Sequence, residues 1–435
     1  MSAPAFLPNR WWLVLAAIVC AAGMWLYVQR VLVMYQIADA ARTGLPRGNL
    51  SDLYPRWLGA RELLLHGQDP YSPAVTREIQ AGYYGRSLDP ANPKDPKDQQ
   101  AFAYPVYVVF YLAPTVHLPF AVVQKAFFWL LVAVTIVLVP LCLRILRWPL
   151  AYPERVSVVA LAMGSLAIVQ GLKLQQITLL VAALIAGAIA LLVADHAIPA
   201  GILLGLATIK PQLVCVLLLW LAIWTLGDWK RRYRWAVSFL ATVAILTAAS
   251  ELALPHWISR FWHAMHDYLN YTEGVPLLHK MLPNPWDWLT EASAAATSAL
   301  VCWKNRRQGA RTPAFAATAC LVLGVTLLLV PSYALYNQVL LLPAILLVAR
   351  ERQMLWQRSR ISRVLLTAAA ILLLWQWLSA VILATLSFVL VPGVVEKAWA
   401  VPAWATPALP LAVTALMLPL ASPGAIRTSP MTIPS

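Results

Sequence analysis

Few residues in this chain have the type and setting to do chemistry, and the first is Asp52. It opens the stretch DLYPRWLGARELLLHGQDPY at 52–71 and has no basic partner in sequence before Arg56. A carboxylate held just outside a bilayer could take a proton from an attacking hydroxyl and steady positive charge building on a lipid-borne substrate. It could equally cap the helix starting near Leu53, helped by Ser51, because Asp is a preferred N-cap. Lys173 and Lys210 sit at the tips of short apolar segments, where an ammonium either binds a phosphate as a point charge or snorkels to the interface. Gln175, Gln176 and Thr178 could cap a helix or hydrogen-bond a substrate hydroxyl. Tyr54, Tyr104, Tyr107, Gln212, Tyr333, Tyr336, Asn337 and Gln338 could line the same cavity, the alternative for Tyr107 and Tyr333 being an aromatic belt. His263 and His266 have i, i+3 spacing beside Asp267, and His256 and His279 lie nearby. No H-E-x-x-H pattern accompanies them, so they read as interfacial histidines, with His266 a substrate contact and no metal or other cofactor expected.

The elements that must position these residues are membrane helices. The 435 residues are 61% hydrophobic and 12% charged, with a mean hydropathy of +0.69, more apolar surface than a soluble core could hide. A formal charge of +15 could suggest nucleic acid, but the basic residues cluster in short loops at Arg144–Arg155, Lys230–Arg234, Lys304–Arg311 and Arg350–Arg363. That is the positive-inside pattern, and nucleic acid is not an expected partner. The five cysteines lie in apolar runs without ligand spacing and read as buried free thiols.

Placing all four basic loops in the cytoplasm orients the chain. Trp11 to about Val33 is a retained first span, too long for a signal-peptide core. Residues 36–120 then form a large outer loop. Within it, 52–71 predicts an amphipathic helix with Trp57, Leu58, Leu64 and Leu65 on the apolar side and Arg56, Arg61, Glu62 and His66 in water, stopped by Gly67 and Pro70. A second helix is expected near Pro73–Tyr84, followed by the polar tract GRSLDPANPKDPKDQQ as a mobile flap or an ordered loop without its own core. Pro105, Pro114 and Pro119 argue against one continuous helix at 102–120, which reads as an outer-surface or half-inserted element.

The next segments are short. Val156–Val169 gives about 21 Å of helix and 200–209 about 15 Å, less than the roughly 30 Å of hydrocarbon. They end in QGLKLQQ and in Lys210-Pro211-Gln212, and truncated helices with polar tips point to an embedded site. Further spans are expected at 122–143, 177–194, 213–227 and 235–254, and near 289–303, 314–330, 338–349, 364–391 and 404–420. Residues 255–288 form a second outer loop rich in Trp, Tyr and His, and 422–435 a flexible cytoplasmic tail. The expectation is one all-α polytopic domain, 1–435, of about twelve crossings. No internal repeat relates its halves, which weighs against a two-repeat transporter.

The run at 52–71, with AYPV at 103–106, LQQITLL at 174–180, AGILLGLATIKPQ at 200–212 and SYALYNQVLLLPA at 332–344, resembles glycosyltransferase family 87 of the GT-C superfamily. The resemblance implies an inverting hexosyltransferase, mannose being the expected sugar. It implies a polyprenyl-phosphate-linked sugar donor and a lipid or glycan acceptor at the extracytoplasmic face of a bacterial-type inner membrane. Asp52 matches the catalytic carboxylate of the first outer loop, with Lys210 and Lys173 expected at the donor phosphate. The chain departs from the family at Pro105-Val106, where two prolines are usual, at Gln175-Gln176, where Gly-Gln is usual, and at Asn337, where an acid is usual. A transporter or flippase of a lipid-linked sugar is the rival reading, and an inactive scaffold a third.

Overall fold

A computed structural model of the chain describes residues 10–43 and 51–426, apart from 90, 93, 273, 332, 423 and 425. Every regular element among them is helical, as expected for a backbone that must satisfy its own polar groups in hydrocarbon. Five segments are long and apolar enough to cross a membrane: Trp11–Arg42, Phe120–Leu146, Trp229–Ala253, Arg360–Leu386 and Pro392–Ala421. Tyr152–Met163 and Leu166–Lys173 make a sixth if the pair, bent by 56°, counts as one span. Thr178–Val193, Ala197–Ala207, Pro211–Leu226, Pro313–Leu329 and Leu335–Arg350 are shorter apolar helices, all of which would have to cross for the total to approach twelve.

The first helix runs past its expected end near Val33 and takes residues 36–42 out of the outer loop, continuing through a π turn at Val28–Leu32. Its 32 residues measure about 48 Å, so one end stands clear of the roughly 30 Å hydrocarbon layer. Small residues let neighbours approach: a Cβ on Gly201 would run into the Trp235 carbonyl and the Ser238 hydroxyl, and one on Gly205 into Thr242. Ala197–Ala207 and Trp229–Ala253 therefore pack backbone to backbone.

The basic loops converge on one end of the bundle. Arg232 is buried and donates to the carbonyls of Trp224, Arg306 and Gln308, tying the turn at 226–229 to the loop after Asn305. Arg311 donates to Val193 O, Arg350 to Leu146 O, and Arg10 pairs with Glu154. Phe120–Leu146 starts at the opposite end, about 40 Å away along its axis.

That opposite end carries the polar layer. Leu53–His66 and Pro73–Tyr84 are both helices, the second capped by Ser72 Oγ, which accepts from Val75 N. The first is not a one-faced surface helix. Glu62 is only 5% exposed, whereas Leu64 and Leu65 are each 37% exposed. The reason is that neighbours cover several of its sides, from Pro73–Tyr84 to the 102–112 strip, so burial does not follow its hydrophobic stripe. Residues 102–115 hold only a five-residue helix, Val108–Leu112, and a 3-10 turn, and Phe102, Val106 and Val109 are interior rather than on an outer surface. The described residues of the polar tract gather on Asp95, which pairs with Arg86 and accepts from Asp89 N at 2.8 Å and Asn92 Nδ2 at 2.9 Å.

All five cysteines are free, but Cys215 is exposed and Cys20 half-buried, because an apolar position on the outside of a membrane bundle is met by lipid rather than by protein. Residues 44–50 of the expected outer loop and 427–435 of the expected tail lie outside the described residues.

Candidate active site

Three local devices aim side chains into one polar pocket. Asp52 precedes the helix Leu53–His66, but its side chain makes no cap. Ser51 takes that role, its Oγ accepting from Leu53 N at 3.3 Å, and Arg56 one turn later donates to the Asp52 carbonyl. The Asp52 carboxylate is thereby free to turn inward, where its Oδ2 accepts from Gln176 Nε2.

Gln176 is placed by a helix ending. After Leu166–Lys173 the chain enters the left-handed region at Gln175, φ 46°, and Gln176 N bonds back to Gly171 O at 2.8 Å, closing the last turn. Lys210 is placed by the proline that follows it. Helical backbone is disfavoured for a residue before proline, and Lys210 adopts φ −125°, ψ 78°, while Pro211 sits in the first turn of the next helix. The break between Ala197–Ala207 and Pro211–Leu226 thus delivers an ammonium to the interior. Tyr107 holds this corner, its hydroxyl 2.8 Å from Thr208 O.

The polar chain is continuous. Lys210 Nζ, on a residue 5% exposed, donates to Gln176 Oε1 at 3.0 Å and Thr178 Oγ1 at 2.6 Å. Thr178 donates in turn to Asn337 Oδ1 at 3.2 Å. The rings of Tyr336 and Tyr104 face the ammonium at 5.1 and 5.7 Å, inside cation–π range. Arg56 stacks its guanidinium over the same Tyr104 ring at 4.4 Å. Burial alone would raise the Tyr104 phenol, but Arg56 and Lys210 together bring it below its ordinary value. Burial works against the Arg56 charge, yet Tyr104 and Asp52 more than offset it, so Arg56 is held charged.

Of the residues expected from sequence, Asp52, Gln176, Thr178, Lys210, Tyr104, Tyr336 and Asn337 come together. The others do not join this chain of contacts. Lys173 donates to Gln36 on the first helix. Gln175 donates to Leu172 O at 2.9 Å and accepts from Gln124 at 3.4 Å, capping its own helix. Tyr54 packs on Phe120 and above Gly82. Gln212 is in the first turn of Pro211–Leu226. Tyr333 and Gln338 bond to one another and to Thr406. His266 is exposed on the helix Trp257–Tyr271, His263 bonds to Ser259 O, and His279 lies between Asp287 and Glu291. Among the described residues no three His, Cys, Asp or Glu side chains are arranged to hold a metal.

Sequence reading missed Arg56, Tyr268 and Asp98. Arg56 had been given to water by a helical wheel that assumed one covered face. Tyr268 lies within electrostatic reach of Arg56, Tyr104 and Asp52, and Asp98 of Asp52 and Arg56. Both come from loops whose approach to Asp52 no spacing rule encodes. The roof that carries Tyr268 is tied down by Arg260, 2.5 Å from Asp69 Oδ2. Tyr71 next to it donates to Tyr104 O at 2.5 Å.

The profile of Glycosyltransferase family 87 matches residues 102–331, more than half of the chain. The chain belongs to glycosyltransferase family 87. Neither the comparison with curated proteins nor that with solved structures returned a match. In this family 87 member the matched region holds Tyr104, Gln176, Lys210 and Tyr268, while Asp52 and Arg56 precede it and Tyr336 and Asn337 follow it. A member of a glycosyltransferase family folded as a polytopic helical bundle is a membrane glycosyltransferase. Next to Asn337, Gln338 and Val339 open onto an apolar cavity of about 260 Å³, walled by the bent pair, Leu342 to Ala349 and Leu373 to Trp377.

Proposed function

We propose that this transferase moves a hexose, mannose by family resemblance, from a polyprenyl phosphate to a lipid or glycan acceptor, with inversion. Asp52 takes the proton from the acceptor hydroxyl as its oxygen bonds to the anomeric carbon. The bond from that carbon to the phosphate oxygen breaks with its electron pair, and the phosphate leaves on the lipid. Lys210 and Arg56 stabilise that departing charge, with Arg56 in the role expected of Lys173. A guanidinium with one protein acceptor keeps donors in hand for a bidentate phosphate contact. The apolar cavity beside Asn337 takes part of the isoprenoid chain.

The observation that carries this reading is the convergence of one carboxylate and two cations on Tyr104 and Gln176, at the end of the bundle away from the basic loops. Under the positive-inside rule that end is extracytoplasmic, in a bacterial-type cell membrane, with the short apolar helices bringing the total to about twelve crossings. The test is to incubate the purified protein with a polyprenyl-phosphate hexose and a membrane extract, then analyse products by mass spectrometry. A new glycosidic bond is expected. Passage of the intact donor across a vesicle bilayer without such a bond would assign the chain to transport instead.

A further inference from the structure

Beside Asp52 and Arg56 lies a second polar group of residues that the reaction above does not use. Asp98 is anchored twice by Gln100, whose backbone N and Nε2 donate to its two carboxylate oxygens at 3.0 and 2.8 Å. Its carbonyl accepts from the Tyr84 hydroxyl at 2.9 Å, which pins the 98–101 segment to the helix Pro73–Tyr84. Tyr268 and Tyr271 approach from the roof helix with their rings edge to face, centroids 5.5 Å apart. The Tyr271 hydroxyl is buried, faces the Ala101 backbone amide and has no hydrogen-bond partner of standard geometry. A buried hydroxyl whose own proton has no acceptor is more often completed by a ligand or water than left alone.

We propose that Asp98, Tyr268 and Tyr271 form the subsite for the acceptor, and that the acceptor presents a polyhydroxyl, sugar-like headgroup there. This rests on the transferase reading. Displacement with inversion requires the attacking hydroxyl and the leaving phosphate to lie on opposite sides of the anomeric carbon. The attacking hydroxyl gives its proton to Asp52, so the acceptor lies against Asp52, where Asp98 and Tyr268 stand within electrostatic reach. A carboxylate already held by Gln100 keeps lone pairs for sugar hydroxyls, and the two phenols supply donors and a flat face. An acceptor without vicinal hydroxyls would leave these groups unpaired, which is the basis on which the site would discriminate against it.

The experiment uses the full-length protein in detergent with a saturating polyprenyl-phosphate hexose, titrated with the lipid fraction of a membrane extract as acceptor. Release of free hexose without extract reports attack by water. For Asp98→Asn and Tyr271→Phe, half-saturation in extract is expected to rise about tenfold, with the donor half-saturation unchanged. A fold defect would lower the maximal rate and leave both half-saturation values where they were, and Tyr271→Phe removes one oxygen only, so it tests the idea independently of the Asp98 variant. Unchanged acceptor half-saturation in both variants, or a parallel rise for the donor, overturns the assignment while leaving the transferase reading intact. Absence of any new glycosidic bond with the unaltered protein would remove both.

Discussion

The Asp52 carboxylate and the Lys210 ammonium do not pair directly, because Gln176 stands between them, donating to one and accepting from the other. A direct ion pair would have spent the basicity of the carboxylate on the lysine. One interposed amide keeps the two charges in register while leaving Asp52 an oxygen for an incoming hydroxyl. The rigidity of the amide matters, since Gln176 is 1% exposed and fixed by the helix ending before it.

Asp52→Asn should therefore keep the Gln176 contact and lose the base. Sugar transfer is expected to fall by about 10²–10⁴-fold, the usual contribution of general base catalysis, with expression and donor binding close to normal. Turnover within a few-fold of the unaltered protein would show that Asp52 is not the proton acceptor.

Arg56→Lys keeps a charge but not the fork. If Arg56 holds the phosphate through charge-assisted hydrogen bonds of about 1.5–3 kcal/mol, Arg56→Ala raises the donor half-saturation by roughly 10–100-fold. The Lys variant should recover only part of that. Full recovery by Lys would mean that charge alone is needed.

Gly59 is where the 98–104 segment lies down on the helix Leu53–His66: a Cβ there would run into the Phe102 ring. Gly59→Val should cost about 1–3 kcal/mol by overpacking. It should also depress transfer beyond what lost protein explains, because Tyr104 and Asp98 flank the displaced ring. Thermal unfolding in detergent alongside activity per folded molecule separates the two effects.

The Arg260–Asp69 pair that holds the roof is 2.5 Å long but partly exposed, so its contribution is at most about 1 kcal/mol, or fivefold in an equilibrium. Either single replacement, Asp69→Asn or Arg260→Gln, should lower activity modestly and abolish its sensitivity to added salt. Retained salt sensitivity in both variants would point to a different charged contact.

Burial first, and then the proximity of Asp52, hold the Asp98 carboxyl above the ordinary carboxylate range, against the opposing pull of Gln100 and Arg56. With the folded value above the unfolded one, the native state binds the proton more tightly, so this group favours folding at low pH and loses that contribution as pH rises through its folded value. Asp98→Asn should accordingly unfold at a higher temperature than the unaltered protein at pH 7, the gap closing as the pH is lowered toward 4. A gap that widens on acidification would reverse the sign of this coupling.

Much of the fold could be read from sequence because its signals are local. Lys210-Pro211 marks a helix break, Ser72-Pro73 marks a helix start, and three prolines argue against a single long helix over 102–120. The apolar runs marked nearly every helix, although the first continues well past its expected end. What stayed hidden depends on which surfaces meet. Arg56 and Glu62 belong to a helix covered on several sides, where polarity no longer tells inside from outside. Asp98 and Tyr268 reach Asp52 from segments 46 and 216 residues along the chain, and Lys173, by type the twin of Lys210, lacks the proline that would have turned it into the pocket.

The arginines that fasten the basic end donate to peptide oxygens of Trp224, Val193 and Leu146. A peptide oxygen carries no formal charge and does not titrate, so neither acidification nor electrolyte loosens those joints. The roof, by contrast, hangs on a carboxylate. Added electrolyte therefore reaches the segment over the reacting groups more readily than it reaches those peptide joints at the other end.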